Sequence, residues 1–132
     1  MEEINKNNFS SIFIEELLPN IPIETLKKYH CLPNYNGYLW SACEGLLLNC
    51  LSGVEAMKAY NDANKIGALE FQYDNGFFGD DVAKPLSNDY DTAEKISLSG
   101  IIEFYVIGKD FSWVYIVTHE GDECGPYFVI KN

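Results

Sequence analysis

Apolar positions follow two rhythms along this chain, a helical one in the first half and an alternating one at the end. FSSIFIEELL (residues 9–18) repeats at helical spacing, with Ser10 or Ser11 available to cap its start and Pro19 with Asn20 to end it. IETLKKYH (23–30) predicts a second helix, with Pro22 just before its start and Ile23, Leu26 and Leu32 as its apolar positions. LPNYNG is a loop by its Pro, Asn and Gly content. YLWSACEGLLL (38–48) is apolar at nearly every position and reads as a buried helix, weakened by Gly45. In LSGVEAMKAYNDANK, Val54, Ala56, Met57 and Tyr60 recur at helical spacing, and Ser52 with Glu55 three residues later has the form of a capping box. That helix should stop near Ala63.

From Ala68 the period changes to two. In ALEFQY (68–73), Leu69, Phe71 and Tyr73 share one face and Glu70 and Gln72 the other, the pattern of a half-buried strand. Residues 74–100 read as a long acidic loop with one helical turn at 91–97, a length that is uncommon unless functional. Strands then follow at about 101–107, 112–119 and 126–131, a meander broken by GKD and HEGDEC. In its middle strand Trp113, Tyr115 and Val117 share one face and Val114, Ile116 and Thr118 the other. Helices first and strands afterwards predict one α+β domain over 1–132, with a helical part at 9–63 and a strand-rich part at 68–131. The expected architecture is N-terminal helices packed on a four-stranded, mostly antiparallel sheet. An edge of the terminal meander would be exposed, which leaves the oligomeric state open.

Composition adds limits. With 47% hydrophobic and 14% aromatic residues the chain can bury a core. No apolar stretch approaches the ~20 residues that span a bilayer. MEEINKNN lacks the basic and apolar regions of a secretory signal, so a cytoplasmic protein is expected. A net charge of −11 argues against nucleic acid and anionic membranes as partners, and for either solubility or a basic protein partner. Cys31, Cys43, Cys50 and Cys124 form no C-x-x-C pair, and they are expected as buried reduced thiols. With only His30 and His119 for imidazole ligands, zinc is not expected.

Two segments resemble a family of small bacterial proteins of unknown function. The first is L-W-x-x-C (Leu39, Trp40, Cys43) followed by L-x-G-x-x-A-x-x-A-Y (Leu51, Gly53, Ala56, Ala59, Tyr60). The second, more specific, is D-F-S-W-V-Y-I-V-T-H-E (Asp110 to Glu120) followed by G-P-Y-F (Gly125 to Phe128). The resemblance spans roughly residues 38–131. The family is similar to proteins encoded beside toxin genes, where they serve as immunity proteins of the contact-dependent growth inhibition type. This implies a toxin domain as partner. The loop at 74–100 is longer and more acidic than the family pattern, and Cys43 stands where an aromatic residue is common.

Candidate chemistry is sparse. His119 and Glu120 of the T-H-E triplet, with Cys124 beyond, could share a proton or hold a metal. Adjacent strand residues point to opposite faces, however, and a structural role for His119 on the G-P-Y-F turn is the simpler reading. No Ser-Gly elbow, P-loop or H-E-x-x-H is present. Trp40, Tyr38, Trp113 and Tyr115 read as core. In GFFGDD, Phe77 and Phe78 cannot both point inward on an extended backbone, so one is a candidate anchor beside Asp80 and Asp81. The carboxylates could mimic phosphates to a nuclease and speed its capture by steering. A calcium loop with its terminal Glu is missing. The expectation is therefore an immunity protein that occludes the active site of a basic toxin, a nuclease, through Asp74, Phe77, Phe78, Asp80, Asp81, Asp89, Asp91 and Glu94. No catalytic residue, metal or cofactor enters that reading. The alternatives are a small enzyme or metal protein built on His119, Glu120 and Cys124, and a generic acidic regulatory domain.

Overall fold

The apolar runs of the last third come together in one antiparallel sheet. A computed structural model describes residues 3–33, 39–45, 47–72, 81–101, 103–118 and 125–131. Three helices come first, α1 (Phe9–Leu17), α2 (Ile23–Lys28) and α3 (Ser41–Glu44), then strand β1 (Cys50–Ser52) and helix α4 (Gly53–Asp62). Strands β2 (Leu69–Gln72) and β3 (Lys84–Pro85) are followed by a 3-10 turn (Asn88–Tyr90) and helix α5 (Ala93–Ser99). Strands β4 (Phe104–Ile107), β5 (Trp113–Val117) and β6 (Tyr127–Ile130) complete the chain, with a second 3-10 turn at Lys109–Phe111.

The class is α+β as expected, but the sheet has six strands rather than four, in the order β1-β6-β5-β4-β2-β3, and every pairing is antiparallel. The two additional strands are the edges. β1 pairs Cys50, Leu51 and Ser52 with Val129, Phe128 and Tyr127. β3 pairs Lys84 and Pro85 with Glu70 and Leu69. Strands of two or three residues carry no readable alternation, and long-range pairing alone defines them. Pro85 suits an edge because it has no N–H to offer a further strand. The terminal meander is therefore interior: β1 covers β6 and β2 covers β4.

The other departures also have local causes. The helix expected over 38–48 contracts to α3. A Cβ at Gly45 would stand 2.6 Å from the Tyr29 ring, so only glycine lets the chain pass there. The Ser41 hydroxyl donates to the Tyr29 carbonyl, holding α3 against the end of α2. Cys43 and Cys50, expected as reduced thiols, are joined by a disulfide with a Cα–Cα distance of 5.8 Å. Seven residues of continuous helix would have kept them about 10 Å apart. Cys31 is a free buried thiol, as expected. Ser10 lies inside α1, and Asn8 takes the N-cap position, tied to Asn5 by Asn5 N–H donating to Asn8 Oδ1 at 2.7 Å. Ser52 stands at the N-cap of α4 without a side-chain cap bond, and Gly53 N–H donates instead to the Pro126 carbonyl at 2.9 Å.

The predicted 74–100 loop is structured from Asp81 onward. Lys6 N–H donates to the Asp81 carbonyl and Ala83 N–H to the Ile4 carbonyl, so this stretch clamps the N-terminal segment before entering β3. Thr92 then caps α5, accepting from Lys95 N–H at 3.2 Å, and Gly100 ends it in the left-handed conformation. The single turn expected at 91–97 is a two-turn helix at Ala93–Ser99.

Helices cover both faces of the sheet. α1 to α3 close one with Phe9, Phe13 and Trp40 against Phe71, Tyr105 and Ile116. α4 and α5 close the other with Ala56, Tyr60 and Ile96 against Val106, Trp113 and Tyr115. The alternation read along β5 holds, and both of its faces are buried. Trp40, Trp113 and Tyr115 are core, as read; Tyr38 lies outside the described residues. The polar face of β2 is not solvated: Glu70 is 3% exposed, 3.7 Å from Lys84, and accepts from Ser87 N–H at 3.0 Å.

Candidate functional site

The α4–α5 face gathers most of the polar chemistry that the described residues offer. Ala56 and Tyr60, one turn apart on α4, face the sheet. The Tyr60 ring stacks on Tyr115 at 4.3 Å and meets Trp113 edge-on at 5.8 Å, and Trp113 stacks on Phe128 at 5.5 Å. The Tyr60 hydroxyl donates to the Tyr90 carbonyl at 2.5 Å, which pins the 3-10 turn to α4. Burial, with the nearby charge of Asp91 and Glu70 adding to it, pushes the Tyr60 phenol well above its ordinary range.

The neighbouring residue extends the same attachment. Asn61 accepts from Ala93 N–H at 2.8 Å through Oδ1, and its amide donates to Glu94 at 2.8 Å and 3.1 Å. Lys65 closes the C-terminus of α4. Its ammonium donates to the carbonyls of Tyr60 at 2.5 Å and Ala63 at 3.2 Å, and it lies 4.6 Å from the Tyr60 ring centroid. Burial lowers the Lys65 pKa, against the opposing pull of Asp91 and Asp62.

Two of the carboxylates singled out in the sequence, Asp91 and Glu94, are held here through their side chains, and a third, Asp89, through its backbone. Asp91 accepts from Lys95 at 2.8 Å, and that hydrogen bond holds its carboxyl below the usual range. Glu94 is held by Asn61. Asp89 is exposed, its backbone N–H donating to the Ser87 hydroxyl at 3.1 Å. Asp81 is not part of this group: its side chain is 82% exposed and lies 3.1 Å from Lys6, beside the N-terminal segment. Asp74, Phe77, Phe78 and Asp80 lie outside the described residues, as do His119, Glu120 and Cys124. The predicted set thus divides, with Asp89, Asp91 and Glu94 brought together and Asp81 apart.

Sequence reasoning missed a cavity of about 210 Å³ between α4, α5 and β5, lined by Met57, Ile96, Ser97, Tyr115, Val117 and Thr118 among others. Tyr115 and Val117 read as plain core because nothing in a strand pattern shows that two covering helices diverge. Val54, at 80% exposure, lies on the helical stripe of Met57 and Asn61, and Leu98 on α5 is 88% exposed. That stripe was the one available signal. Among the described residues no group of three His, Cys, Asp or Glu is placed to hold a metal, and no helix is long and apolar enough to cross a membrane.

Residues 20–128 match the family described as "Domain of unknown function (DUF4275)", a span that runs from just before α2 into β6 and leaves α1 outside. No curated protein and no solved structure matches the chain.

Proposed function

This chain belongs to the DUF4275 family, a domain of unknown function, and from that premise we propose that it is an immunity protein that binds and neutralises a basic toxin domain in the cytoplasm of the cell that makes it. The observation that carries the reading is the anchoring of Asp91 and Glu94 around the start of α5, with Asp89 beside them held through its backbone. The Tyr60–Tyr90 hydrogen bond and the Asn61 amide hold their backbone to α4, and the Thr92 cap fixes the start of α5. Carboxylates held in place before binding lose little conformational freedom on meeting a cationic partner.

The charge balance supports the same reading. Lys6, Lys84, Lys95 and Lys131 pair with carboxylates and Lys65 is taken up by α4 carbonyls, so five of the nine lysines are engaged within the described residues. Twenty carboxylate residues leave a large excess to act outward. A nuclease-type toxin, which grips phosphates with lysine and arginine, is the class of partner this surface fits.

The test is co-expression and purified binding with basic, nuclease-type toxin domains, beginning with any that neighbours this chain's gene. Affinity is expected to fall steeply between low and high salt. The double reversal Asp89→Lys with Glu94→Lys is expected to slow association more than it speeds dissociation. Binding that ignores both salt and the reversal would overturn the electrostatic reading, and the absence of any protection from the toxin would overturn the immunity role.

A further inference from the structure

We propose that the cavity between α4, α5 and β5 is a binding site for a small, uncharged, single-ring ligand with one hydrogen-bond acceptor, for which the Tyr115 hydroxyl is the donor. The inference is independent of toxin binding and rests on three observations.

The first is size and lining. The volume is about 210 Å³, with apolar walls from Met57, Ile96, Ile101 and Val117. An apolar cavity of about 150 Å³ is enough to take up benzene. The space here holds one ring with a short substituent.

The second is Tyr115 itself. It is 2% exposed and lines the cavity, and its ring is fixed by the near-parallel stack on Tyr60, with 12° between the planes. Its hydroxyl makes no hydrogen bond to any other described residue, whereas the hydroxyl of its stacking partner donates to the Tyr90 carbonyl. The phenol oxygen is not among the sealed-off polar atoms of the described residues, so it is open to an acceptor that enters the cavity.

The third is charge. Burial, reinforced by Glu94, keeps the Tyr115 phenol protonated far above neutral pH, so it acts as a donor. The same carboxylate and the net charge of −11 disfavour an anion in the cavity. Ser97 and Thr118 add hydroxyls to the lining. Gly100 lines it too, and a Cβ built there meets nothing within 4 Å, so the wall is open at that point.

The experiment is a titration of the full, isotopically labelled chain, followed by amide chemical shifts, with acetophenone, ethylbenzene and benzoate as matched probes. Acetophenone is expected to shift the amides of Met57, Ser97 and Gly100. It should bind about 2- to 10-fold more tightly than ethylbenzene, the range for one neutral hydrogen bond. Benzoate should bind most weakly. Tyr115→Phe should erase the preference for acetophenone over ethylbenzene while both still bind. Ser97→Phe, at an exposed position of α5, should fill the space and abolish all three responses. Shifts absent from these residues with every probe would overturn the site. A preference for acetophenone that survives Tyr115→Phe would overturn the role of the hydroxyl.

Discussion

The two faces of the sheet are closed by different chemistry. Under α1 to α3 the helices supply Phe9, Phe13 and Trp40 together with aliphatic side chains: Phe9 packs on Phe71 at 4.9 Å and on Tyr105 at 4.7 Å, and the buried thiol of Cys31 belongs to the same core. Under α4 and α5 it is made of stacked Tyr60, Tyr115 and Trp113, with Tyr90 and Asn61 supplying polar attachments. The first face obtains its stability from shape and area removed from water. On the second, the Tyr60 hydroxyl donates to the Tyr90 carbonyl, and a cavity remains between the helices and β5. One side of a single sheet is closed by an apolar layer, and the other carries polar attachments and a cavity.

The largest expected effect tests the first face. Phe9→Ala removes a ring that is fully buried between two others, and by analogy with large-to-small core changes it should cost about 3–5 kcal/mol in denaturant unfolding. A loss below ~1 kcal/mol would mean that α1, which lies outside the family match, is an accessory.

The next effect depends on pH. Burial pushes the Cys31 thiol from 9.0 up to about 11, against a smaller lowering by a backbone hydrogen bond at Ala42. The raised value means that the folded state keeps its proton when the unfolded chain has lost it. The contribution is therefore fully present below pH 9.0 and is lost as pH rises towards about 11. Its full size is on the order of 2–3 kcal/mol. Unfolding free energy measured across this window should fall, and Cys31→Ala should flatten the first part of the fall, leaving the later part to Tyr60 and Tyr115, whose phenols are also raised.

The smallest effect separates the two tyrosines of the second face. Tyr60→Phe removes the bond to the Tyr90 carbonyl and should cost about 1–2 kcal/mol. Tyr115→Phe removes a hydroxyl with no partner among the described residues and should change stability by less than ~0.5 kcal/mol. Equal costs for the two would remove the distinction between a tyrosine that fastens the fold and one left available to a ligand.

Much of this was visible in local pattern. The helical periodicity around Ala56 and Tyr60, and the alternation of Trp113 and Tyr115 against Val114 and Ile116, predict α4 and β5 close to their observed bounds. Side-chain period is a property of a few consecutive residues, so it survives without tertiary information. The carboxylates Asp89, Asp91 and Glu94 were also named from the sequence, within a long acidic loop with one helical turn at 91–97.

Within that limit, the amino-acid order by itself determined the α+β class, the two faces of β5, the acidic balance and the family resemblance. Tertiary structure alone decided the sheet edges, the second helical layer, the Cys43–Cys50 bond, the separation of Asp81 from the other carboxylates, and the cavity beside Tyr115. The physical reason is common to all five. Each depends on which distant segments meet: β1 on β6, α4 on α5, the 81–83 stretch on the N-terminal segment. A residue's own neighbours in sequence specify its conformation and its face, while its partner and the space left beside it are set only when the chain packs.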